Sequence, residues 1–114
     1  MEQSGARIRV EESTDFTYVK LNDEEYLKDW QIKELQEEIL PVIEEVKDRR
    51  VVIDFENVRL MSSAFLGLLI RVLKRTNEQN GQLELVNIKP EISKVFKITG
   101  LNRVFDIGET KFSD

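Results

Sequence analysis

The chain has 114 residues, a formal net charge of −5, and neither His nor Cys. The usual zinc sites, thiol nucleophiles and Ser-His-Asp triads need one or the other, so catalysis would have to rest on carboxylates, Lys, Tyr or Ser alone. An acidic chain also lacks the basic surface that nucleic-acid binding requires, so no direct nucleic-acid partner is expected.

With 40% hydrophobic residues the chain is long enough to bury one core, and a single domain is expected. Its core should span about residues 8–107, with 108–114 as a tail. No apolar run approaches the roughly 18–20 residues of a membrane span, so no membrane partner is expected. The first residues, Met1 to Arg7, lead into no apolar stretch. A signal peptide is therefore not expected, and a cytoplasmic location is.

Ile8 to Glu11 is a short strand candidate, and Phe16 to Leu21 is rich in β-forming residues. The polar turn Glu12–Asp15 between them predicts an antiparallel pair. From Asp29 the period changes: Trp30, Ile32, Leu35, Ile39, Val42, Ile43 and Val46 recur at spacings of a helix, with Asp29 as its cap. Pro41 falls inside this pattern without a phase change, which predicts a bend rather than a break. Val51 to Phe55 is a continuous β-branched run, as suits a strand buried on both faces.

A second helix is predicted from Ser62 to Asn80, stopped by Asn80-Gly81. Its first half, Ala64 to Ile70, is almost wholly apolar and should lie deep. Gln82 to Val86 alternates as a strand. Pro90 fits the first turn of a third helix carrying Ile92, Val95 and Phe96 and ending at Gly100. Arg103 to Ile107 is expected to close the sheet. The order β-β-α-β-α-β-α-β predicts an α/β domain with a mixed sheet, antiparallel at first and parallel later.

Between Asp23 and Asp48 ten acidic residues stand against three lysines. That acidity suits a solvated helix face, or a surface that meets a more basic partner.

The junction of the third strand and second helix carries the most chemistry. It places two hydroxyls, Ser62 and Ser63, at the mouth of an apolar helix beside the carboxyl end of a buried strand. Helix N-termini expose unpaired N–H groups and partial positive charge, so they favour phosphate or another anion. Serine is also among the best N-caps, and one hydroxyl here needs no role beyond capping.

This stretch resembles the signature of STAS domains, the fold shared by anti-sigma-factor antagonists and the cytoplasmic tails of sulphate transporters. Ile53-Asp54-Phe55 resembles the family's strand end, Leu60-Met61 its apolar lead, Ser63 its first serine and Leu66-Gly67 its ending. Further on, Gly81 to Pro90 and Val95 to Leu101 resemble the family's glycine-strand-proline and third-helix segments. The resemblance runs from about residue 50 to 107. It implies a regulatory binding module and no enzyme, with Ser63 as phosphorylation site and Ser62 as the alternative acceptor. The implied partner is an anti-sigma factor that is also a serine kinase of the histidine-kinase-like ATPase superfamily. The unmodified antagonist binds this kinase and frees the sigma factor; phosphorylation ends the binding. No cofactor and no metal are implied, and a monomer is expected.

Three positions depart from the family's pattern. Ser62 replaces the usual Asp, Ala64 the second Ser/Thr, and Phe65 the following Gly. Phe65 puts bulk either inside the core or on the recognition surface, and it joins Asp23, Asp54, Ser62 and Ser63 as a partner-binding candidate. Asp23 to Glu25 and Asp54 could flank Ser63, although strand-end and turn carboxylates more often face water. Tyr26 and Trp30 suit either an interface or the core edge. Arg71, Lys74 and Arg75 suit an acidic partner or a solvated helix face. The altered motif also admits a STAS scaffold or transport-complex subunit that works without phosphorylation. A small ligand-binding domain or enzyme using Asp54, Ser62 and Ser63 would need a deep polar pocket beside Ser63.

Overall fold

A computed structural model describes residues 2–46 and 49–108. Six strands form one sheet in the order β1 (Glu2–Ser4), β2 (Ile8–Glu12), β3 (Phe16–Leu21), β5 (Arg50–Asp54), β7 (Gln82–Val86) and β8 (Asp106–Ile107). A separate two-stranded pair joins β4 (Glu25–Tyr26) to β6 (Leu60–Met61). β1–β2 and β2–β3 are antiparallel, whereas β3–β5, β5–β7 and β7–β8 are parallel, so the sheet is mixed as the element order predicts.

Side chains alternate across this sheet, and the register stacks like with like. Val10 pairs with Val19, Val19 with Ile53, and Ile53 with Leu85, which lines up one apolar row across four strands. That row packs against Leu35, Ile39 and Ile43 of α1 (Asp29–Glu44) and Leu68, Leu69 and Val72 of α2 (Ser63–Glu78), all in one buried cluster. Ile92 and Phe96 of α3 (Pro90–Thr99) join the same cluster. Each helix follows a strand that takes part in parallel pairing, so all three begin at the carboxyl edge of the sheet.

Several local expectations are revised. Lys28, and not Asp29, is the N-cap of α1; Asp29 is the first helical residue, where its charge suits the helix dipole. Gln31 reaches back from inside the helix to hold the entering chain, its Oε1 accepting the N–H of Leu27 at 3.1 Å. α1 runs through Pro41 and ends at Glu44, short of Val46. The closing strand is only Asp106–Ile107. Leu101–Arg103 instead forms a 3₁₀ turn that swings Phe105 edge-on against Phe96, at 5.8 Å between ring centroids. Gly100, with φ of +78°, makes that turn possible after α3. The tail is described only at Gly108, whose N–H bonds the Leu85 carbonyl at 2.8 Å; residues 109–114 lie outside the described residues.

Two members of the basic group on α2, Arg71 and Arg75, have partners inside the fold. Arg71 donates to Gln36 at 2.7 Å, and Arg75 forms ion pairs with Glu44 and Glu78, tying α2 to α1.

Candidate functional site

The chain leaves β5 at Asp54 and turns at once. Phe55 donates to the Val86 carbonyl at 2.9 Å, and Val58 donates back to Phe55 at 2.9 Å, closing a tight turn. The next residues are stitched to the β3–α1 loop: Arg59 and Leu60 both donate to the Glu24 carbonyl, at 2.7 and 3.2 Å. Glu25 and Tyr26 then pair in parallel with Leu60 and Met61, and Ser62 donates to the Tyr26 carbonyl at 2.9 Å. This short ladder fixes where α2 begins.

At that start the two serines have different work. Ser62 is the N-cap, with extended backbone, and its Oγ accepts the N–H of Phe65 at 3.2 Å. Ser63 is the first helical residue; it is exposed, and among the described residues its hydroxyl makes no hydrogen bond. This hydroxyl stands at the positive end of a 16-residue helix, where unpaired N–H groups and the dipole favour an anion.

Beneath the serines the interior is aromatic. Phe65 is fully buried and stacks on Tyr26 with ring centroids 4.9 Å apart, and Phe55 meets Phe65 edge-on at 6.1 Å. Phe65 was expected among partner-facing residues, but its place is inside the core. The reason is helical geometry: it lies one turn from the cap on the face that carries Leu68, Leu69 and Val72. Burial pushes the Tyr26 phenol well above its ordinary range, so it stays protonated and donates to the Arg7 carbonyl at 3.1 Å. It also accepts the N–H of Asp23 at 3.1 Å. Of the two aromatics near α1, Tyr26 therefore seals the core, whereas Trp30 is 56% exposed.

Asp54 was likewise expected to face a partner or water, yet it is only 3% exposed. Its Oδ1 accepts the Glu56 N–H at 2.8 Å and the Asn87 side-chain amide at 3.0 Å, and its Oδ2 accepts the Tyr18 hydroxyl. Burial and this bond to a carboxylate push the Tyr18 phenol well above its ordinary range. Asp54 thus orders the β5–β6 and β7–α3 loops around the site. Asp23 is half-buried and ion-paired with Arg7 at 2.9 Å, and its loop lies alongside the α2 start through the β4–β6 ladder.

The surface around Ser63 also holds exposed apolar residues that were not among the expected partner-binding side chains. Leu27, just past the short ladder, and Leu60, within it, are 44% and 51% exposed. Leu27 sits in no periodic pattern and is an apolar side chain inside a polar loop; Leu60 is marked only as part of the motif's apolar lead. A depression of about 230 Å³ is lined by Glu25, Arg59, Leu60 and Glu91, with neither serine in its wall. Among the described residues no group of three or more His, Cys, Asp or Glu could hold a metal ion, and no helix is long and apolar enough to cross a membrane.

Comparison with known proteins agrees with this geometry. A family model described as STAS domain matches residues 7–112. The anti-sigma-B factor antagonist of Staphylococcus aureus (strain NCTC 8325 / PS 47) is 30% identical over 104 residues, covering 90% of this chain and 94% of that protein. Among solved structures, a STAS domain protein from Planctomyces limnophilus superposes with a TM-score of 0.82 at 23% identity, covering 91% of this chain and 90% of its own. The anti-sigma-factor antagonist SpoIIAA in its unphosphorylated form gives 0.73 at 18% identity, covering 92% and 89%.

Proposed function

The chain belongs to the STAS domain family, and on that premise we infer that it is an anti-sigma-factor antagonist that acts by binding and not by catalysis. Its partner is an anti-sigma factor with serine-kinase activity, bound at the carboxyl edge of the sheet and released when Ser63 is phosphorylated. One observation carries this reading: of two adjacent serines, Ser62 is committed to capping and Ser63 is left exposed and unbonded at the first position of α2.

The energetics support a switch of this kind. A phosphate adds about −1.5 to −2 charge. At a helix N-terminus the fold tolerates it, because dipole and free N–H groups offset it. In a docked interface beside Leu27 and Leu60 the same dianion would have to be desolvated against apolar surface, which costs several kcal/mol. Phosphorylation therefore ends binding while the fold persists.

The altered motif favours one second reading. Ser62, Ala64 and Phe65 change the residues that flank the acceptor, and a scaffold that binds without phosphorylation would tolerate such changes. Titrating the anti-sigma factor by calorimetry against the unmodified protein and against Ser63→Glu separates the two. The antagonist reading expects tight binding by the former and at least about tenfold weaker binding by the latter. Equal affinities would leave the scaffold.

A further inference from the structure

Three helix N-termini converge at the carboxyl edge of the sheet, and the first of them presents an exposed tryptophan. Trp30 is not loose. The Arg7 guanidinium lies 5.7 Å from its ring centroid, and Arg7 is in turn held by Asp23 at 2.9 Å and Glu34 at 3.6 Å. Glu34 stands one helical turn beyond Trp30 on α1, so ring, cation and carboxylates form one ordered stack. The Arg7 side chain is only 18% exposed, so the plate behind the ring is itself part of the fold.

Among the described residues, three of the six exposed large hydrophobic side chains gather near this edge: Leu27, Trp30 and Leu60. The β4–β6 ladder brings Leu27 alongside Ser62, since Tyr26 pairs with Met61 one residue earlier. Around them stand the exposed carboxylates of Glu24, Glu25, Asp29 and Glu91, against the exposed cations Lys28 and Arg59, the latter ion-paired to Glu24 at 3.6 Å. A rigid aromatic with apolar neighbours inside a charged rim has the composition of an interface hot spot.

We propose that Trp30, set by Arg7, is the principal anchor of the partner interface, and that the partner presents an apolar pocket bordered by Lys or Arg side chains. This rests on the antagonist reading and extends its surface from the α2 start along α1. The acidic rim selects a basic-bordered pocket and speeds encounter, whereas Trp30 supplies most of the affinity.

Trp30 is the only tryptophan in the chain, so it can be read directly. The protein labelled with 5-fluorotryptophan is titrated with the anti-sigma factor and followed by ¹⁹F spectroscopy. The Trp30 resonance should shift, and its H₂O/D₂O isotope shift should vanish as the ring leaves water. In parallel, Trp30→Ala should weaken binding at least about 30-fold with an unchanged circular-dichroism spectrum. Ile98→Ala, which trims an 84% exposed apolar residue on the last turn of α3, should not alter it. Affinity should also fall as salt rises.

A partner that binds the wild type while the Trp30 resonance stays still and Trp30→Ala binds equally well overturns the anchor alone. Salt-independent binding overturns the basic-bordered pocket. If no anti-sigma factor binds the wild type, the antagonist reading falls and the anchor with it.

Discussion

The first turn of α2 separates two layers only a few ångströms apart that obey different physics. On its inner side Tyr26, Phe55 and Phe65 are fully buried, stacked or edge-on, with the one phenol hydrogen-bonded. On its outer side Ser63 is exposed and unbonded, and Leu27, Trp30 and Leu60 keep between 44% and 56% of their surface in water. The inner layer spends its side chains on stability. The outer layer leaves apolar area and a hydroxyl uncommitted, which a monomer gains nothing from but a partner can use. The boundary between them is Ser62, whose oxygen closes the helix and so leaves its neighbour free.

If the division is real, substitutions on the two sides should differ in kind. Phe65→Ala removes a ring from the dry side and should cost about 3–5 kcal/mol in urea unfolding. A cost under about 1 kcal/mol would mean that the inner layer is loosely packed.

Alkaline titration tests the two hydrogen-bonded phenols, one partly and one fully buried. Tyr18 and Tyr26 hold their protons more tightly when folded than at the ordinary value of 10.0. Their contribution is therefore fully present below pH 10.0 and is lost as pH rises beyond it, because the unfolded chain ionises first. Stability should fall above that pH, and less steeply in Tyr26→Phe. A fall of the same slope in that variant would remove Tyr26 from the account.

At the boundary, Ser62→Ala should cost about 1 kcal/mol through the lost cap, while Ser62→Asp, an equally good cap, should cost almost nothing. On the outer side Ser63→Ala should change stability by less than about 0.5 kcal/mol. Thermal melts of the three variants rank them. A Ser63→Ala cost equal to that of Ser62→Ala would erase the distinction between the serines.

These layers were unequally legible in the sequence. Helical spacing from Trp30 to Ile43 and the β-branched run at Val51 to Ile53 announced α1 and β5, because burying one face or two leaves a period. The mouth of α2 was legible too, from two serines ahead of an apolar stretch. β4 and β6 were not, since two residues carry no period and their pairing is specified by backbone bonds to Glu24 and Tyr26. β1, a polar Glu-Gln-Ser segment at the sheet edge, gave no hydrophobic signal either. Asp54 looked like a solvent-facing strand end, and only the fold shows Tyr18, Glu56 and Asn87 converging on it from three segments. Phe65 could point either way until α2 was phased by its cap at Ser62.

The central claim is that Ser63, and not Ser62, is the regulated hydroxyl. Incubating the protein with its anti-sigma kinase and ATP, then reading intact mass and fragment spectra, tests it most directly. A gain of one phosphate is expected, localised to Ser63, retained in Ser62→Ala and absent in Ser63→Ala. Phosphate on Ser62, or none under conditions that modify another antagonist, would contradict it.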